Sequence, residues 1–271
     1  VTPDSGLRSS GVRYWLVLAL IGVIGGFLSG MFGVGGGIVM VPLLVGLARM
    51  DQRRAAATSL VAIVPASAVG ATTYFLNGHV DLVAAGFIVI GAVVGAIIGT
   101  RLLRRIPLVW LRWMFIGLLV VVAARLLLVA PVRGDAIDLT WYVAVGYIVL
   151  GLFMGIASGL FGIGGGVIAV PGLIALFGAS DLIAKGTSLL VMLPTGIVGT
   201  VSNIRGRLVN LRAGLVVGVA ATLVSAPGVT LALILPPRLS GILFAGLLIL
   251  AVVQLSIKAV RAQRAPKPAA S

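Results

Sequence analysis

The chain is a succession of long apolar runs separated by short polar punctuation. Residues 16–32, 55–76, 82–100 and 109–130 form four runs, and residues 143–161, 184–204, 215–235 and 240–257 form four more. Each approaches the ~20 residues with which an α-helix crosses the hydrocarbon of a bilayer. Each is predicted helical, because a segment in lipid must satisfy its own backbone groups. Pro65 and Pro194 predict kinks within two of them. Two shorter apolar pieces, residues 38–48 and 167–177, stand apart. At 1.5 Å per residue such a piece reaches only about 16 Å, roughly half the hydrocarbon thickness. Each is predicted to be the second arm of a hairpin whose first arm is the run before it.

What separates the two arms is a run of glycine, and it occurs twice. Residues 30–42 read GMFGVGGGIVMVP and residues 159–171 read GLFGIGGGVIAVP, displaced by 129 positions. Between residues 26–42 and 155–171, 10 of 17 positions are identical, and the alignment continues without gaps through Thr58-Ser59 and Thr187-Ser188. Pro236 matches Pro107 in the same register. The chain is therefore an internal duplication. Interior glycines cost a helix about 1 kcal/mol each, so two triple-glycine runs at matching places mark irregular backbone that is used.

The organisation follows: a tail (1–13), a first membrane repeat (14–130), a connector (131–140), a second membrane repeat (141–258) and a basic, proline-containing tail (259–271). Tyr14-Trp15 and Trp141-Tyr142 are predicted interfacial edges. Arg8 and Arg13 precede the first apolar run without a polar cleavage region, so that run is expected to stay in the membrane.

Composition sharpens this picture. Only 10% of residues are charged and 60% are hydrophobic, against about 25% charged in soluble domains. The net charge of +14 could suggest nucleic acid, but the basic residues sit in short loops and at the termini, as topology signals do. If each hairpin starts and ends on one side and the three later helices of each half cross, all 20 Lys and Arg fall inside except Arg125, Arg133, Lys185 and Arg238. Asp81, Asp135, Asp138 and Asp181 fall outside. Arg125 is expected to snorkel to the outer surface. This predicts cytoplasmic termini. Each half then makes an odd number of crossings, so the second half is upside down. The predicted fold class is an all-α polytopic membrane protein of two inverted-topology repeats, each a re-entrant or short helical hairpin plus three transmembrane helices.

In that arrangement residues 38 and 167 open half-helices from opposite sides, with both N-termini at mid-depth. A helix N-terminus carries about half a positive charge and several unpaired N–H groups. Glycine permits the alternating backbone of an anion nest. The candidate substrate-binding set is Gly33, Gly35, Gly36 and Gly37 with Gly162, Gly164, Gly165 and Gly166, completed by the hydroxyls of Ser29, Thr58, Ser59, Ser158, Thr187 and Ser188. The competing readings are that the glycines are packing notches and that the Ser and Thr bond back to their own helices. Glutamate is absent and the aspartates lie in loops or at span ends, which favours an anion over a cation. With no cysteine and one histidine, His79, no metal site or cofactor is expected. No Walker lysine follows either glycine run, which argues against direct use of ATP.

The duplicated S-G-x-F-G-[VI]-G-G-G-x-[VI]-x-V-P, with its Thr-Ser pairs, resembles the sulfite exporter TauE/SafE family of permeases over about residues 16–257. The resemblance implies transport, often export, of sulfite, sulfonates or related organic anions across a prokaryotic inner membrane. The expected partners are a small anion and the lipid bilayer, with no nucleic acid and with homo-oligomerisation open. An anion channel and a non-transporting scaffold or subunit are the alternatives. An intramembrane serine hydrolase built on Ser158 is disfavoured, because His79 lies in a loop placed outside, away from any nucleophile.

Overall fold

The computed structural model describes residues 11–128 and 140–264, with side chains at all of these but 125–128, 258–259 and 261–264. The Arg125 side chain, the connector residues up to 139, residues 1–10 of the first tail and 265–271 of the second lie outside the described residues, while the first and last helices run into the rest of both tails. Among the described residues all regular structure is helical: α1 (Val12–Phe32), α2 (Gly37–Gly46), α3 (Gln52–Leu76), α4 (Leu82–Arg105), α5 (Leu108–Leu128), α6 (Trp141–Phe161), α7 (Gly166–Phe177), α8 (Asp181–Arg205), α9 (Leu211–Ile234) and α10 (Pro237–Arg264). Seven of them, α1, α3, α4, α6, α8, α9 and α10, are long and apolar enough to cross a membrane. α5 is a further apolar helix, and α2 and α7 are short. The helices of the second half begin 129 positions after their counterparts in every case.

α3, α8 and α9 start earlier than the apolar runs predict, because each opens with a polar capping turn, as α4 does at its expected start. The carboxylates of Asp51 and Asp81, the hydroxyl of Ser180 and the side-chain oxygen of Asn210 accept from backbone amides of α3, α4, α8 and α9. Such caps satisfy amides that the helix itself cannot. Pro65 and Pro194 lie inside α3 and α8, which remain unbroken around them.

The hairpin of each half docks on the other half. α1 packs along α9, and α6 along α4. These contacts are made at backbone distance. Any Cβ on Gly22, Gly26 or Gly30 of α1 would collide with the carbonyl oxygens of Val217, Ala221 and Ser225, in that order. Both helices therefore run the same way. In the matching pair, Gly91, Gly95 and Gly99 of α4 lie on the carbonyls of Ile148, Leu152 and Ile156, and Gly151, Gly155 and Gly159 of α6 lie on those of Ile88, Ala92 and Ala96. In lipid, where burying apolar surface between helices gains little, such close packing is what holds helices together. α3 and α8 cross between these pairs, and α5 packs against α10. The outward faces are apolar: Val219, Leu223, Ile90 and Leu250, for example, are at least half exposed. Such surface suits acyl chains.

The glycine notches predict a sharp contrast. Gly95→Leu forces α4 and α6 apart and lowers stability by at least ~1–3 kcal/mol. Gly86→Leu on the same helix, where a Cβ meets nothing within 4 Å, leaves it unchanged. The midpoint of unfolding in sodium dodecyl sulfate distinguishes the two.

Candidate functional site

The two glycine breaks meet at the centre of the protein. α1 ends at Phe32 and α2 begins at Gly37; α6 ends at Phe161 and α7 begins at Gly166. The backbone between them is left-handed at Gly33, Gly35 and Gly36 (φ 68, 81 and 69°) and again at Gly162, Gly164 and Gly165 (φ 70, 80 and 84°). Only glycine takes this conformation without strain. Gly37 packs on Gly162 and Ile163, and Gly166 packs on Gly33 and Val34. The breaks are thus in mutual contact, and every residue from 33 to 38 and from 162 to 167 is buried.

These two short helices are uncapped. Their N-cap residues, Gly36 and Gly165, offer no side chain. The amides of Val39 and Met40 bond to the Gly36 carbonyl, and those of Ile168 and Ala169 to the Gly165 carbonyl, at 2.8–3.1 Å. Gly33 and Gly162 donate to the carbonyls of Ser29 and Ser158, both at 2.8 Å. No protein acceptor among the described residues pairs with the amides of residues 34–38 or 163–167. Nearly all buried backbone amides in proteins are paired. Here two buried runs of them lie unpaired, at the positive ends of two helices. Two hydroxyls share their state. Ser29 and Ser158, at matching positions, are fully buried and their Oγ atoms have no partner.

The other candidate hydroxyls are engaged, and each reaches across to the opposite half. Ser59 Oγ donates to the carbonyl of Gly162 at 2.6 Å, with Ala56 O at 2.9 Å as a second acceptor. Ser188 Oγ stands 2.5 Å from the carbonyl of Gly33 and 2.8 Å from that of Lys185. Thr58 Oγ1 accepts from the amide of Asn210, at the start of α9 (3.1 Å), and Thr187 Oγ1 accepts from the amide of Asp81, at the start of α4 (2.9 Å). Thus the serines fix the breaks and the threonines fix helix starts. The structure brings the two glycine runs into contact and lays Ser59 on Gly162 and Ser188 on Gly33; Thr58 and Thr187 are bonded to helix starts instead, and Ser29 and Ser158 to no protein group.

Several neighbours were not anticipated from sequence. Met192 of α8 lies between the breaks: a Cβ on Gly35 would stand 2.6 Å from its Sδ, and one on Gly164 3.0 Å. Its counterpart, Ile63, also lies against Gly164. Periodicity marks both only as core. Tyr74 donates its hydroxyl to the carbonyl of Gly30 at 2.9 Å, while its counterpart Asn203 is buried with neither side-chain atom partnered. Lys185, expected at the outer end of the run 184–204, lies in the second turn of α8, 2% exposed and paired with Asp181. The Asp-Lys spacing of four residues, which places both on one helical face, was the available signal. No base is bonded to Ser158, and His79 sits in the turn after α3, its carbonyl against Gly186.

The architecture is that of a multi-pass helical membrane protein organised around two buried helix breaks. Residues 3–126 and 147–271 match the family described as sulfite exporter TauE/SafE, and the chain belongs to that family of membrane transporters. It is similar to the probable membrane transporter protein YdhB of Bacillus subtilis, with 30% identity over 193 residues covering 70% of this chain and 77% of that protein. It is also similar to YunE of the same organism, likewise named a probable membrane transporter protein, with 26% identity over 220 residues (72% and 80%). A probable membrane transporter protein of Haemophilus influenzae is 31% identical over 199 residues (69% and 72%).

Removing either serine hydroxyl leaves a buried glycine carbonyl without its donor. Ser59→Ala and Ser188→Ala are each expected to destabilise the fold by about 1–3 kcal/mol, read as a fall in the thermal unfolding temperature of the purified protein.

Proposed function

We propose that the chain is a secondary transporter of a small oxyanion, such as sulfite, a sulfonate or a related organic anion, working by alternating access at the paired glycine breaks. One observation carries this reading: two facing, uncapped helix N-termini whose buried amides lack protein acceptors. Amides and hydroxyls pointed at mid-depth suit an anion and repel a cation. The names of the family and of its relatives agree with transport.

The same reading includes inverted repeats. A hairpin that returns to its own side, followed by α3 and a tight turn into α4, makes α4 antiparallel to α1. α9, the counterpart of α4, runs parallel to α1. Hence α9 and α4 would run in opposite senses, and the halves would be inverted. The distribution of basic residues then puts both termini on the cytoplasmic side of a bacterial inner membrane.

Ser29 and Ser158 separate binding from folding, since neither hydroxyl holds any protein group. The double variant Ser29→Ala/Ser158→Ala is expected to keep its unfolding temperature while anion flux into proteoliposomes falls at least ~10-fold, as for loss of two hydrogen bonds to a charged ligand. The flux assay is paired with a thermal-shift screen against sulfite, sulfate, thiosulfate, ethanesulfonate and acetate, since a ligand selective for the folded state raises its melting temperature. Undiminished flux in the double variant would remove the breaks from the transport path.

A further inference from the structure

Among the described residues Lys185 is the only buried lysine or arginine. Its ammonium stands 2.5 Å from a carboxylate oxygen of Asp181 and donates to Ser240 Oγ at 2.8 Å, with side-chain exposures of 3% for Lys185 and 14% for Asp181. Its stem crosses the first glycine break. A Cβ on Gly33 would stand 2.5, 2.6 and 2.8 Å from the Cα, Cβ and Cγ of Lys185, and Ser188 ties the carbonyls of Lys185 and Gly33 together. The ammonium is therefore three bonds beyond a carbon that touches the break.

The second break shows what packing alone requires. There the matching residue is Ala56, which lies against Gly162 as Lys185 lies against Gly33. The counterparts of Asp181 and Ser240 are Gln52 and Leu111. One glycine break is sealed by alanine, so neither the close approach nor the helix crossing calls for a charge. The buried ion pair is an addition made on one side only. Ionisable groups at membrane depth are costly and are kept for function.

We propose that Lys185 is the mobile cation of the anion site: it rests on Asp181 and Ser240 in the arrangement seen here and turns to the anion when one occupies the breaks. The inference rests on the reading of the breaks as an anion site. Lysine suits such an exchange, being a compact charge with three donors on a flexible stem. The exchange replaces one oxyanion partner by another, so the ammonium stays paired throughout. It also frees Ser240, and with it the contact of α8 to α10, only when substrate is present. The one-sidedness gives the two breaks different surroundings, charged at the first and neutral at the second.

The test compares Lys185→Met, Asp181→Asn and the double variant, purified in detergent and titrated with sodium sulfite and sodium sulfate by thermal shift. Lys185→Met is expected to weaken the binding of whichever anion the wild type binds by at least ~10-fold, as for loss of a charge-assisted hydrogen bond. Asp181→Asn keeps or improves the affinity, because the competing carboxylate charge is gone. The double variant carries no unpaired buried charge, so it folds even if Lys185→Met does not, and it is expected to bind as weakly as Lys185→Met. A double variant that binds like the wild type would overturn the proposal and make the pair structural. A loss of affinity in Asp181→Asn as large as that in Lys185→Met would do the same. If the wild type responds to neither anion nor to any other in the panel above, the anion site itself falls.

Discussion

A polypeptide inside a bilayer has nowhere to put an unpaired amide, and the fold turns on two places where it leaves them. Seven of the helices are long enough to span, and four of those, α3, α4, α8 and α9, open on side-chain caps; the two short ones begin at buried glycines that offer no side chain. An amide without an acceptor in such a setting costs about as much as a lost hydrogen bond. The rest of the molecule is arranged so that this cost falls only at the centre. Glycine notches bring α1 onto α9 and α4 onto α6, shielding the breaks from lipid, and the serines of α3 and α8 take up the carbonyls that the breaks expose. The carbonyls of Gly33 and Gly162 are thereby satisfied, while the amides of residues 34–38 and 163–167 find no protein acceptor among the described residues. The centre is made almost wholly of main chain.

The bonding is reciprocal. Ser59 of the first half holds Gly162 of the second, and Ser188 of the second holds Gly33 of the first; Thr58 and Thr187 support the starts of α9 and α4 in the same crossed manner. The two halves are most alike at the breaks themselves, yet beside them they differ: Ile63 against Met192, Tyr74 against Asn203, Gln52 against Asp181 and Ala56 against Lys185. The shared residues build the scaffold of the site, and the unmatched ones give its two sides distinct chemistry.

Much of this was legible in the chain. The displacement of 129 positions located all ten helices, because each half punctuates its apolar runs with glycine, proline and capping residues in one register. The breaks were legible because glycine is so poor a helix former that three together demand a reason. Other features were hidden because they depend on which helices become neighbours. Thr58-Ser59 reads as a polar pair in an apolar run, and nothing local says that the threonine serves α9 while the serine serves a glycine of α6's hairpin. Met192 and Ile63 look like core residues and become part of the centre only once α3 and α8 cross there. Lys185 reads as a charge at the outer end of a helix expected to begin at 184. The Ser180 cap starts α8 at Asp181, and that brings the aspartate onto the lysine's own helical face.

The crossed docking bears on how such a molecule can deform. Because α1 is fastened at main-chain distance to α9, and α6 to α4, the covalent halves of the chain are not its mechanical parts. Any rigid body must draw helices from both sides of the duplication, and its seams run through loops, at the hairpin bends and in the segments joining α2 to α3 and α7 to α8. The same residue type thus clamps the helix pairs in one place and turns the chain back on itself in the other.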